Sequence, residues 1–235
     1  MKMTRTWMGL ALLFGGLGYS SLCAAAEPQP VETFVFVGER IALEEAPDPC
    51  DEEFQETGEL TCINMDALYT ARYRVLDRIV GSYPSDVIEF SVSDHYGFPR
   101  FARFRHALLF VALADDDAWL HKYQAIPVHR TVGRQWAACG DIRRDPEGAP
   151  SPQLRPLRFE REIALESDLS DAMLAGYRAG QQPHWRIENG KVWCSQGMLL
   201  EDVYEVVRNG VMRAREVTLP AWPEPLTPEP CSRSE

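Results

Sequence analysis

The chain has 235 residues, 24 Lys and Arg against 35 Asp and Glu, a formal net charge of -11 and 45% hydrophobic residues. That length supports one domain with a real core, or one domain with a sizeable extension. The acidic balance gives the molecule as a whole the wrong field for nucleic acid or an anionic membrane surface, and it favours solubility.

The first element in chain order reads as a secretory leader. Lys2 and Arg5 form a positive n-region, residues 7–17 an apolar stretch too short to span a bilayer, and Ala24 and Ala26 an A-x-A cleavage pattern that leaves Glu27 as the first mature residue. Cys23 follows Leu22 rather than a small residue, which argues against lipid attachment there. Loss of residues 1–26 removes two positive charges and no acid, so -11 less 2 gives -13 over 209 remaining residues. The expected location is the periplasm or the cell exterior, and no later apolar stretch is long enough for stable membrane insertion.

Five cysteines remain for an oxidising compartment: Cys50, Cys62, Cys139, Cys194 and Cys231. Cys50 and Cys62 bracket a polar segment and pair as a loop staple, worth about 3 kcal/mol by loop-closure entropy. Cys139 and Cys194 end strand-like runs and form the second expected bridge. Cys231 is left over in a Pro-rich tail, free to pair with another chain or to compete for either partner.

Strands dominate residues 27–141. "TFVFVGERIAL" is β-branched and aromatic, with Gly38 marking a bulge or bend. "YTARYRVLDRIV" places Tyr69, Ala71, Tyr73, Val75 and Ile79 on one face and Arg72, Arg74 and Arg78 on the other; "VIEFSV" turns Ile88, Phe90 and Val92 inward. After the turn-rich "SDHYGFP" come "RFRHALLFVAL" and "WLHKYQAIPV", joined by "ADDDA". Long, bent strands of this kind predict a small closed antiparallel barrel.

"FVFVGE", "ARYRVLDRIVG", "VIEF", "HALLFVAL" and the late cysteine of "AACGD" together resemble the netrin-type modules, the OB-fold barrels of the tissue inhibitors of metalloproteinases and their relatives. The resemblance covers about residues 33–141. It implies an OB-like fold and binding through barrel loops. The inhibitors chelate the protease zinc with a mature N-terminal cysteine, whereas the first residue expected here is Glu27.

A polar connector over 142–156 leads to an α+β extension over 157–218. Its expected elements are a strand with Leu157, Phe159, Ile163 and Leu165 inward, a helix from Ser167 to Gly180, a hairpin, and a last helix with Leu199, Leu200, Val203, Val206 and Val207 on one side, stopped by Gly210. In "WRIENGKVWC", Asn189-Gly190 favours a type I′ turn that pairs Glu188 with Lys191, Ile187 with Val192, Arg186 with Trp193 and Trp185 with Cys194. Residues 219–235 read as a flexible Pro-rich tail. The fold class is mainly β with α: an OB-like barrel plus a C-terminal extension.

Catalytic signatures are sparse. The mature chain carries no G-x-S-x-G, no Gly-rich phosphate loop and no C-x-x-C, H-x-x-x-H or H-x-H pair, so neither catalytic residues nor metal or cofactor ligands are assigned. Asp115, Asp116 and Asp117 beside Trp119 read as a solvated turn rather than a glycosidase pair. "FPRFARFRH" alternates aromatics with arginines as a single-strand nucleic-acid face does, but export and net charge oppose that use. Two surfaces for a protein partner stand out: a basic face of Arg72, Arg74, Arg78, Arg103 and Arg105, and the stapled acidic loop with Glu52 and Glu53. The expected function is an exported, non-enzymatic protein-binding or inhibitor-like module. The alternatives are a hydrolase whose site is assembled across strands, and a structural subunit of an envelope assembly bridged through Cys231.

Overall fold

The computed structural model describes residues 31–59, 61–115, 117–143, 151–163, 184–189 and 191–223. Five strands, β1 (Glu32–Glu45), β2 (Ala67–Val80), β3 (Val87–Asp94), β4 (His106–Ala114) and β5 (Asp117–Pro127), close into a barrel in the order β1-β2-β3-β5-β4. Every neighbouring pair is antiparallel except β3 with β5, which run parallel and meet at Ser91 and Trp119. This is an OB-like barrel.

The period-two pattern explains its interior. Tyr69, Ala71, Tyr73 and Val75 of β2, with Ile88, Phe90 and Val92 of β3, point into one buried cluster with Phe34, Phe36, Leu109 and Val111. Ile79 lies past this run and packs instead against the second cluster described below. Bending of β1 comes from register shifts at Val35/Phe36, Val37/Gly38 and Arg40/Ala42. Gly38 is required at this bend, because a Cβ there would lie 2.8 Å from the Phe36 ring and 2.9 Å from the Tyr73 ring.

Residues Arg100–Arg103, expected to lead directly into a strand, form a 3-10 turn after Pro99. Pro99 sits at φ -59°, and the turn drives Phe101 and Ala102 into the barrel core as a plug at its end.

Six shorter strands follow: β6 (His129–Arg130), β7 (Trp136–Cys139), β8 (Arg155–Pro156), β9 (Trp185–Glu188), β10 (Lys191–Cys194) and β11 (Gln196–Leu199). They form a four-stranded sheet in the order β6-β7-β11-β8 and the separate β9–β10 hairpin. The barrel therefore ends at Pro127, and the strand carrying Cys139, placed by sequence within 27–141, belongs to the second sheet. The connector contributes β8 to that sheet. Leu157, Phe159 and Ile163 do not continue it as a strand: Phe159 makes one isolated bridge to Thr131 and buries its ring with Ile163. Leu165 and the helix expected over 167–180 lie outside the described residues.

The hairpin has the expected register, with Asn189 at φ 51° as a type I′ turn requires. Its charges find other partners: Lys191 reaches Glu162 at 3.0 Å, and Arg186 pairs with Glu188 at 2.9 Å.

The last helix spans Leu200–Val207 and seals the second core with Leu200, Val203, Tyr204 and Val207 against Val35, Val37, Leu108 and Phe110. It is not stopped by Gly210; a π-helical turn, Arg208–Met212, runs through that residue and buries Met212. The chain then doubles back. Leu219 is buried, Tyr204 Oη donates to the Pro220 carbonyl at 2.7 Å, and the Trp222 N–H donates to Glu205 at 2.9 Å. Residues 219–222 are thus docked, not part of a free tail, and Cys231 lies outside the described residues.

Candidate functional site

Strand direction puts the β1–β2 loop (46–66) and the β3–β4 loop (95–105) at the same end of the barrel, since β1, β3 and β5 all run toward it. The β1–β2 loop carries α1 (Pro49–Thr57). Asp48 caps it by accepting the Cys50 N–H at 2.9 Å, Pro49 occupies its first turn, Asp51 and Glu52 complement its dipole, and Gly58 at φ 74° closes it. None of its residues is buried. A nine-residue helix without a packed face is marginal in water, so local devices must hold it. The Cys50–Cys62 disulfide, with Cα atoms 5.4 Å apart, ties both ends of the segment, and Thr61 donates to Glu53 at 2.5 Å.

Several large apolar side chains stand exposed at this end: Ile63 (72%), Met65 (71%), Tyr96 (85%), Phe54 and Phe98. They are positioned by contacts between the loops. His95 Nδ1 lies 3.0 Å from the Met65 carbonyl oxygen, and the Tyr96 ring sits 6.1 Å from that of Tyr123 and 5.5 Å from that of His95. Phe98 meets Tyr69 edge to face. Asp66 anchors the junction by accepting from Lys122 and pairing with His95; the Lys122 hydrogen bond is the main reason its carboxyl lies below the usual range. Beside α1, an open recess of about 420 Å³ is lined by Glu45, Asp48, Asp51 and Asp66 among others. Among the described residues, no group of three or more His, Cys, Asp or Glu is placed to hold a metal ion.

The basic face is dispersed by pairing. Glu39 takes both Arg74 (2.7 Å) and Arg105 (2.5 Å), and the Arg105 hydrogen bond is the leading cause of its lowered pKa. Arg78 turns to Asp86 at 3.2 Å and to the Ser85 carbonyl at 3.0 Å. Arg72 stands opposite Glu89 across the β2–β3 pair, and Arg103 lies in the 3-10 turn. Glu52 and Glu53 are both exposed on α1, with Glu53 engaged by Thr61.

Cys139 and Cys194 form the second disulfide, with Cα atoms 5.8 Å apart, and join β7 to β10. Two disulfides fit an oxidising environment outside the cytosol, and no described helix is long and apolar enough to cross a membrane. His129 packs between the ring edges of Phe104 and Phe159 rather than beside a carboxylate. The exposed patch of Ile63, Met65 and Tyr96 was not assigned from sequence; the available signal was large apolar residues standing inside otherwise polar, turn-rich loops.

Comparison with known proteins gives no match: no protein-family model, no curated protein and no solved structure is significantly similar to this chain.

Proposed function

We propose that this is an exported, non-enzymatic protein-binding module of netrin-type character that docks its partner through the paired β1–β2 and β3–β4 loops. The observation that carries the reading is α1: a helix capped at both ends, stapled by a disulfide, and with none of its residues buried among the described residues. Devices that hold a segment in shape without burying it preorganise a surface for something else and reduce the ordering cost of binding. The closed five-strand barrel supports the OB-like part of this reading, and the disulfides support residence in an oxidising environment outside the cytosol.

Charge and apolar exposure specify the partner. Asp51, Glu52, Glu53, Glu56 and Glu59 are exposed in the same loop as the exposed Phe54, Ile63 and Met65, so the complementary surface is an apolar depression accompanied by Lys and Arg. The basic face is the weaker candidate, because Glu39 and Asp86 already pair with Arg74 and Arg78 of β2 and with Arg105 of the β3–β4 loop.

The test is affinity capture from the native compartment with the wild-type chain, a Phe54→Ser/Met65→Ser variant, a Glu52→Lys/Glu53→Lys variant and Arg72→Glu. The expected result is one partner retained by the wild type and by Arg72→Glu, released by salt, and lost with both loop variants. Retention that survives both loop variants, or is lost only with Arg72→Glu, would overturn the reading.

A further inference from the structure

A cavity of about 290 Å³ opens between the barrel end and the second sheet, at the lower end of the range for small-molecule sites. Its wall is mostly apolar: Phe101, Phe104 and Leu120 from the barrel, Ile163 and Trp185 from the extension. Two polar groups stand out on it. Arg100, at the start of the 3-10 turn, makes no ion pair or hydrogen bond among the described residues, in contrast to Arg74, Arg78 and Arg105. His129 is wedged between Phe104 (ring centroids 5.7 Å) and Phe159 (6.0 Å), and its ring nitrogens form no hydrogen bond among the described residues.

His129 is half-buried, so its ring nitrogens stay within reach of whatever fills the cavity, water or a ligand, and that occupant supplies their hydrogen bonds. Burial, followed by the nearby His106, lowers the His129 pKa to about 4, so at neutral pH the ring offers one donor and one acceptor and no charge. Asp94 also lines the wall, but its Oδ1 accepts the Tyr96 N–H at 2.9 Å, which turns that oxygen toward its own loop. Asp94 brings a negative charge to this wall, held toward its own loop, and Arg100 is the one cation among the described lining residues; the rest of the lining is mainly aromatic and aliphatic with one neutral hydrogen-bonding ring.

We propose that this cavity binds a small organic acid with an aromatic or aliphatic body, its carboxylate on Arg100 and its body against Phe104, Leu120 and Trp185, with His129 available to a polar substituent. The planar guanidinium suits a carboxylate, and the apolar wall contributes burial. The cavity shares the β3–β4 loop with the surface assigned to a protein partner, through Arg100, Phe101 and Phe104, but its lining does not include the exposed Phe54, Ile63, Met65 and Tyr96 of that surface.

The experiment titrates the intact exported protein with 4-phenylbutyrate and, in parallel, with the neutral 4-phenylbutanol, following calorimetry and tryptophan fluorescence. The expected result is saturable binding of the acid, with the alcohol weaker by about tenfold, the factor expected for losing one charge-assisted hydrogen bond. Arg100→Gln should bring the acid down to the level of the alcohol and leave the alcohol unchanged. Ala125→Leu, which adds volume to the cavity wall, should abolish both while preserving the circular dichroism spectrum; Ser93→Leu on β3 is the second filling variant if the first fails to fold. Equal binding of acid and alcohol, binding that persists in a folded filling variant, or no binding of the acid at millimolar concentration would each overturn the proposal.

Discussion

The ring of Tyr204 lies nearly parallel to that of Phe110, with centroids 6.1 Å apart and planes 10° from each other. One ring belongs to the C-terminal helix and the other to barrel strand β4, so the pair seats the extension on the barrel wall. Truncation by Tyr204→Ala should destabilise the protein by about 3–5 kcal/mol, the usual cost of removing a buried aromatic. Tyr204→Phe keeps the stack and loses only the hydrogen bond to Pro220, at a cost of about 1 kcal/mol. Urea denaturation of both variants checks the difference.

Gly38→Ala tests the bend in β1. The added Cβ would press on rings of Phe36 and Tyr73 that are themselves enclosed, so neither can swing away cheaply. We expect a loss of about 1–3 kcal/mol, in the range of overpacked cores, with barrel strands intact by circular dichroism. A neutral effect would mean that the wall relaxes around the bend.

The two disulfides should respond differently to removal. Cys139–Cys194 closes a 55-residue separation between two elements of the folded body, and replacing both residues with Ala should cost about 4 kcal/mol by chain entropy. Cys50–Cys62 closes only 12 residues around a helix that buries nothing. Its replacement should erase hydrogen-exchange protection of the α1 amides while the barrel amides retain theirs.

Acid should weaken the fold in two windows. His129 has a folded pKa of about 4 against an ordinary value of 6.5, so the unfolded chain binds more protons between those values and stability falls as pH drops from 6.5 toward 4. The size is on the order of 3 kcal/mol, from roughly 1.4 kcal/mol per pH unit. His106, whose pKa is itself lowered by burial first and then by Arg105, titrates in the same direction and adds to this window. Glu39, held low by Arg105 and Arg74, contributes stability above 4.5 that is lost below it. Thermal melts across this range should show the upper window shrink in His129→Phe, with the remainder carried by His106, His121 and His184, and the lower one persist.

Patterns with a fixed period were legible in the sequence, and irregular joins were not. The alternation of β2 and β3 predicts the barrel interior, and Asn189 fixes a hairpin whose four residue pairs match the structure. Both described disulfides follow from strand ends and loop polarity. The second sheet was hidden because β6 and β8 contribute two residues each, too few to show any period. Ion pairing escaped for a related reason: Lys191 finds Glu162 and Arg105 finds Glu39 across separations that local spacing does not encode. At the candidate surface the acids of α1 were visible, but Tyr96 and Met65 come together only because the strands bring two distant loops to one end.

Strands β1 and β4 are buried on both faces, with Phe34, Phe36, Leu109 and Val111 turned to one cluster and Val35, Val37, Leu108 and Phe110 to the other. A truncated protein ending near Pro127 would leave that second set bare to solvent along a continuous apolar stripe. The barrel is therefore not a separable building block: excised from its extension it would self-associate, and grafts or circular permutants of this scaffold must carry the covering layer with them.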